Sequence, residues 1–227
     1  MKTRRAAWIA LATAGLLWAC QTSGTRVDPR ANRLHLSTHP ALSVAVAPEL
    51  PYLAGTDWAF FTQDSYTLQH QSHCFGRTVD GRVTDGVIVR FYKLDQGVWI
   101  TRGEGALVDW IKGQIDSGKV SLGGHTYQYA VAPFRKVFTS REASSLGKRG
   151  LQSAPCHLAR VMSRLLGTYR GGGRIDLVYF EAVEPTRPGA GCGSWRPCGR
   201  ARVERESFLR GFMTRSLEAF RVLDNPQ

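Results

Sequence analysis

Arg77-Thr78-Val79-Asp80-Gly81-Arg82-Val83-Thr84, followed by Val87-Ile88-Val89-Arg90-Phe91-Tyr92, is the stretch on which the fold turns. Asp-Gly is a tight-turn dipeptide, and it sits between short runs that alternate as strands do. The β-branched and aromatic run after it fits a pleated, half-buried surface. The reading is therefore a hairpin, and the sheet grows outward from it. Asp95-Gln96-Gly97 predicts a short loop into a neighbouring strand at Val98-Trp99-Ile100-Thr101. Lys119 to Leu122 and Thr126 to Val131, joined by Gly123-Gly124, predict a second hairpin. Gly171-Gly172-Gly173 leads into Arg174-Ile175-Asp176-Leu177-Val178-Tyr179-Phe180-Glu181, which favours strand there and in the preceding Cys156 to Leu166. Upstream, Leu42 to Val46 alternates, Trp58 to Phe61 is a second apolar patch, and Tyr66-Thr67-Leu68 opens another strand.

Two segments have helical spacing. Leu107, Trp110, Ile111 and Ile115 predict a short helix across one sheet face. Phe208, Leu209, Phe212, Met213, Leu217, Phe220 and Leu223 predict a long amphipathic helix from Val203 to Leu223, with Glu204 and Glu206 in a first turn that favours anions. Thr139 to Pro155 is polar and reads as a surface loop. The expected fold is α+β: a single, mostly antiparallel sheet with a short helix and a long C-terminal amphipathic helix packed on one face.

The first twenty residues, MKTRRAAWIALATAGLLWAC, decide the compartment. Lys2, Arg4 and Arg5 precede an uncharged run from Ala6 to Ala19, the charged and apolar pattern of a secretory signal. The run is too short to cross a hydrocarbon core of roughly 30 Å. Leu17-Trp18-Ala19-Cys20 resembles the lipobox of bacterial lipoproteins, with Trp18 where that family has a smaller residue. The resemblance implies cleavage before Cys20, acylation of Cys20 with chains such as palmitate, and retention on a membrane. Gln21, where an Asp retains enterobacterial-type lipoproteins at the inner membrane, resembles an outer-membrane destination facing the periplasm. Arg4-Arg5 also resembles a twin-arginine signal, although Ala7 and Trp8 fit its apolar positions poorly. The domain reading follows: 1–19 as signal peptide, 20–40 as lipidated Cys20 and a flexible tether, 41–227 as one globular domain.

The processed chain of roughly 205 residues is long enough for one buried core. A hydrophobic fraction of 43% with six Trp excludes a disordered chain. The formal charge is +12, and stays strongly positive without Lys2, Arg4 and Arg5. Such a body is drawn to anions. In an envelope these are lipid head groups, lipopolysaccharide and acidic glycans; nucleic acid is not an expected partner.

Without Cys20, four cysteines remain, Cys74, Cys156, Cys192 and Cys198, an even number in an exported chain. Three connectivities are open. The turn-rich loop between Cys192 and Cys198 favours that pair, leaving Cys74 with Cys156. No Cys-x-x-Cys occurs, so neither a redox pair nor haem attachment is indicated.

The motifs of chemistry are sparse. His70 and His73 could share a helix face and bind a metal with His125 or His157, but no carboxylate accompanies them and no metal or other cofactor is expected. Glu181 and Glu184 with Asp176 could form a carboxylate pair for glycan cleavage, and strand ends carry such residues routinely. There is no Gly-x-Ser-x-Gly and no phosphate loop. No catalytic residue is assigned. The basic segment says more: Trp195, Arg196, Arg200, Arg202, Arg205 and Arg210 form a candidate anion-docking surface. The core from Leu42, with Arg174 to Glu181 and Phe208-Leu209-Arg210-Gly211-Phe212, resembles uncharacterised bacterial lipoproteins of a domain of unknown function, a resemblance that supplies no catalytic residue. The function expected is a membrane-anchored binding or assembly factor, with an envelope hydrolase or metal-dependent enzyme as the alternative.

Overall fold

At the centre of the protein, Asp80 (φ 50°) and Gly81 (φ 73°) make the tight turn their dipeptide predicts, joining β5 (Thr67–Val79) to β6 (Arg82–Leu94). The computed structural model describes residues 25–36, 41–61, 67–95, 107–167, 172–183, 192 and 202–224. Around this hairpin lie β4 (Tyr52–Phe61), β7 (Asp116–Leu122), β8 (His125–Phe134), β10 (His157–Leu166) and β11 (Gly173–Ala182), in the order β4-β5-β6-β11-β10-β8-β7. All these pairings are antiparallel, and the short β9 (Gln152–Ser153) adds to β6 in parallel. The second hairpin also forms as predicted, with Gly123 (φ 55°) and Gly124 (φ 76°) between β7 and β8.

The sheet is not alone. β1 (Thr25–Asp28), β2 (Arg33–Leu36), β3 (Leu42–Val46) and β12 (Phe220–Asp224) form a second, four-stranded sheet. Residues 25–36, expected within a tether, are therefore a hairpin. Asp28 accepts hydrogen bonds from the backbone N–H of Arg30 and Ala31, which tightens the turn. Leu34 and Leu36 then alternate inward.

The expected α+β fold is thus corrected to a mostly β protein of two sheets. The long C-terminal helix is the largest departure. α2 (Arg202–Glu218) ends where the N–H of Ala219 bonds the carbonyl of Arg215, and the next five residues pair with β3. Phe220 and Val222 point inward at period two, while Leu217 and Leu223 are 40% and 39% exposed. The helix reaches the core through Phe212 with Phe208, Leu209 and Met213 beside it, rather than lying along a sheet as a second layer. The predicted short helix fares no better: within 107–113 the chain makes turns, burying Leu107, Val108 and Ile111 and leaving Trp110 53% exposed. The predicted strand at 98–101 lies outside the described residues.

The core divides across the large sheet. One face, carrying Phe75, Val87, Val89, Leu158, Met162, Leu177 and Tyr179, packs on Leu34, Leu36, Leu42, Val44, Phe220 and Val222 of the small sheet. The other carries Cys74, Ile88, Val161, Val178 and Phe180, and is covered by Val108, Ile111, Val137, Phe138 and Leu146. Central strands such as β11 are buried on both faces, which explains their near-continuous apolar runs.

Leu146 belongs to α1 (Ser140–Gly147), a helix inside the segment expected to be loop. Its start is a capping box: Thr139 accepts from the N–H of Glu142, and the Glu142 carboxylate accepts from the N–H of Thr139 at 2.7 Å.

Candidate functional site

Strand register carries a polar row across the α1-covered face. Thr56, Ser72, Arg90, Asp176, Ser163, Gln128 and Lys119 are successive cross-strand partners from β4 to β7. Burying such a row costs free energy unless its members satisfy one another. Ser72, Arg90, Asp176 and Ser163 do so in two clusters, while the Thr56 hydroxyl is buried without a partner among the described residues. Arg90 donates through Nε and Nη2 to the two Glu142 oxygens, both at 2.8 Å, and through Nη2 to the carbonyl of Val137; Ser72 donates to Glu142. Burial alone would raise the Glu142 carboxyl, but the Arg90 guanidinium and these hydrogen bonds hold it at about 2. Farther along, Arg174 grips Asp176 with two hydrogen bonds of 2.7 and 2.9 Å, and Ser163 donates to Asp176.

A second row runs beside the first, from Trp58 through His70 and Tyr92 to Arg174, again as cross-strand partners. The rings of Trp58 and His70 lie 4.8 Å apart, and those of His70 and Tyr92 4.5 Å. The Arg174 guanidinium sits 5.6 Å from Tyr92 and that of Arg141 4.6 Å from Trp58, so a cation closes each end of the aromatic ladder. Burial lowers His70 to about 4, and its Nδ1 has no hydrogen-bond partner among the described residues.

The rows explain how α1 is placed. Glu142 fastens the helix to the sheet, and three contacts then run in order along β4, the edge strand: Arg141 over Trp58, the Ser145 hydroxyl donating to the Gly55 carbonyl at 3.0 Å, and Arg149 near the Tyr52 ring. α1 is therefore antiparallel to β4 and covers its open hydrogen-bonding side. Arg141, Lys148 and Arg149 are exposed along this edge, and Arg135 and Lys136 are exposed in the connection from β8 to α1. Glu142 is the sole carboxylate between 135 and 150, and Arg90 neutralises it, so α1 presents only cations to solvent; exposed Asp57 on β4 is the acid beside them. Trp58 stacks on Phe60 at 4.9 Å, and Phe60 is 38% exposed.

The start of the described chain reaches these strands from the opposite face of the sheet, the side of the small sheet to which β1 belongs. Thr25 donates to the Gln71 side-chain oxygen through its N–H, at 3.2 Å, and through its hydroxyl. Gln71 donates in turn to Asp57, its partner on β4.

The residues singled out in the sequence distribute differently. His70 and His73, three apart on a strand, face opposite sides of the sheet, His70 toward Trp58 and His73 toward Tyr52, so they do not converge on a metal. His157 packs between Phe138 and Phe180, and His125 opens β8. Among the described residues no group of three metal-ligating side chains comes together. Asp176 is consumed by Arg174 and Glu181 by Arg215, at 2.8 and 3.0 Å; Glu184 lies outside the described residues. The disulfide joins Cys156 to Cys192, and Cys74 is free and buried, which corrects the expected pairing of 74 with 156 and 192 with 198. Cys74 sits on the α1-covered face among apolar side chains, where burial raises its thiol. Of the expected docking residues, Arg210 is exposed on α2, and the backbones of Arg202 and Arg205 belong to that helix. Cys20, Trp195, Arg196, Cys198 and Arg200 lie outside the described residues.

Glu142, Arg141, Trp58 and Arg90 were not singled out. Thr139-Ser140-Arg141-Glu142 is a legible capping signature, and it was the available signal. Among the described residues no helix is long and apolar enough to cross a membrane. Compared with protein-family models, with curated proteins and with solved structures, the chain matches none.

Proposed function

We propose that the chain is a lipid-anchored envelope protein that works by binding an anionic partner along the edge built from α1 and β4. The lipobox-like Leu17 to Cys20 supports the anchor. The binding role rests on one observation: Arg141, Lys148 and Arg149 are exposed beside an aromatic edge, and the one carboxylate of their helix is already taken by Arg90. Cations with no counter-charge on their own helix are free to meet an external one, and Arg beside an aromatic ring suits phosphate or carboxylate.

The test compares two pairs of charge reversals that change net charge equally. Full-length R141E/R149E should leave a phosphocellulose matrix at clearly lower salt than full-length R210E/R221E. Equal elution would move the binding surface away from α1, and earlier elution of R210E/R221E would favour the C-terminal basic segment.

A further inference from the structure

The α1 and β4 edge takes its direction from where the anchored end of the chain arrives. We infer that this edge lies flat against the anionic phospholipid surface that holds the acyl chains of Cys20, an inference that rests on the anchored reading above. Cys20 is five residues from Thr25, and five residues extend at most about 18 Å. Thr25 is itself fastened to Gln71 on β5, and Gln71 to Asp57, the residue before Trp58, both of which project from the sheet face opposite α1. The membrane attachment therefore lies within reach of the strand edge that carries Trp58 and Phe60, arriving from the other side of the sheet.

Three properties of the edge suit that neighbour. It is long: α1 follows β4 from Trp58 to Tyr52, with Arg141 at one end and Lys148 and Arg149 at the other, so its charges spread over a plane instead of converging on one small anion. It carries aromatic rings at the rim, Trp58 half-buried and Phe60 exposed, the residue types that settle at head-group depth. Its exposed cations Arg141, Lys148 and Arg149 outnumber Asp57, the one acid on β4, so the edge keeps a net positive charge toward anionic lipid. Basic clusters beside an acyl anchor are drawn to acidic head groups over about a Debye length.

The experiment uses the full-length chain from a lipidating bacterial host, with a benzoyl-phenylalanine photoprobe at Phe60 or at Ile115. Ile115 is 38% exposed and directly precedes β7, the opposite edge strand of the large sheet, six strand spacings of about 4.8 Å from β4. Intact mass first reports whether Cys20 carries acyl chains; an unmodified Cys20 removes the anchored reading itself. The acylated protein is then placed in phosphatidylcholine vesicles with and without phosphatidylglycerol and irradiated. The expected result is lipid adducts at position 60 several-fold above those at 115, with phosphatidylglycerol increasing them and R141E/R149E reducing them at least threefold. Equal adducts at the two positions, or indifference to R141E/R149E, would overturn the orientation while leaving the anchor intact. Suppression of the position 60 adducts by added polygalacturonate would assign the edge to an acidic glycan and overturn it as well.

Discussion

Glu142 uses one carboxylate twice: it closes the capping box of α1 and receives both fork hydrogen bonds of Arg90 from the middle of the large sheet. Side-chain exposures of 0% and 9% put the pair out of water. Removing one partner should therefore strand a buried charge. Arg90→Met and Glu142→Leu are each expected to cost about 3–5 kcal/mol, whereas the double variant should recover part of the loss. Urea unfolding of the four proteins measures the coupling, and strictly additive losses would show that the pair is not linked.

Acid should unfold the protein in two stages. Burial holds His70, His73 and His157 at about 4 in the folded chain, below their ordinary 6.5. Between those values the unfolded chain binds more protons, so stability is full above about pH 6.5 and falls as the pH drops toward 4. Glu142, held at about 2 instead of 4.5, adds stability that is full above 4.5 and disappears as the pH falls through 2. His157→Phe, placed between Phe138 and Phe180, should flatten the upper stage and leave the lower one. An unchanged slope of unfolding free energy between pH 6.5 and 4 would refute the assignment.

The bridge between Cys156 and Cys192 spans 36 residues, which corresponds to about 4 kcal/mol in the chain-entropy model. Non-reducing peptide mapping should recover these two residues in one linked peptide. Cys74 should resist alkylation in the native protein and react fully in guanidinium. A linked peptide of Cys74 with Cys156 is the contrary outcome.

Gly123 and Gly124 share one turn but not one environment. A Cβ on Gly123 would collide with the carbonyl of Val222, at the contact between the β7–β8 turn and β12, whereas one on Gly124 would meet nothing within 4 Å. Both have positive φ, so Gly124→Ala pays only the backbone term of about 1 kcal/mol. Gly123→Ala should lose at least twice as much. Equal shifts in thermal midpoint would mean that the turn and β12 are not packed as described.

Legibility followed the range of the interactions involved. Asp80-Gly81 and Gly123-Gly124 specify their turns within four residues, so both hairpins could be read directly. Phe220 and Leu223 fit a helical stripe and a strand equally well; only Val46 and its neighbours, far upstream, select the strand. Leu34 and Leu36 gave too few apolar residues to stand out among polar ones. The edge site was hidden for a related reason. Arg90 lies in a strand of Val, Ile and Phe, and its partner Glu142 in a run of Ser, Gly and Lys. Their pairing depends on a fold that places residues 52 apart in contact.

β12 has a consequence for the order of events during synthesis. β3 is made early, yet the neighbour that pairs with Val46 is Phe220. A chain made amino-terminus first must keep that flank of the small sheet open until residue 220 has emerged, and closing so wide a loop is slow. The interval leaves an unprotected strand edge available to other chains, so a chaperone holding the nascent chain would shield the protein when it is most prone to wrong pairings.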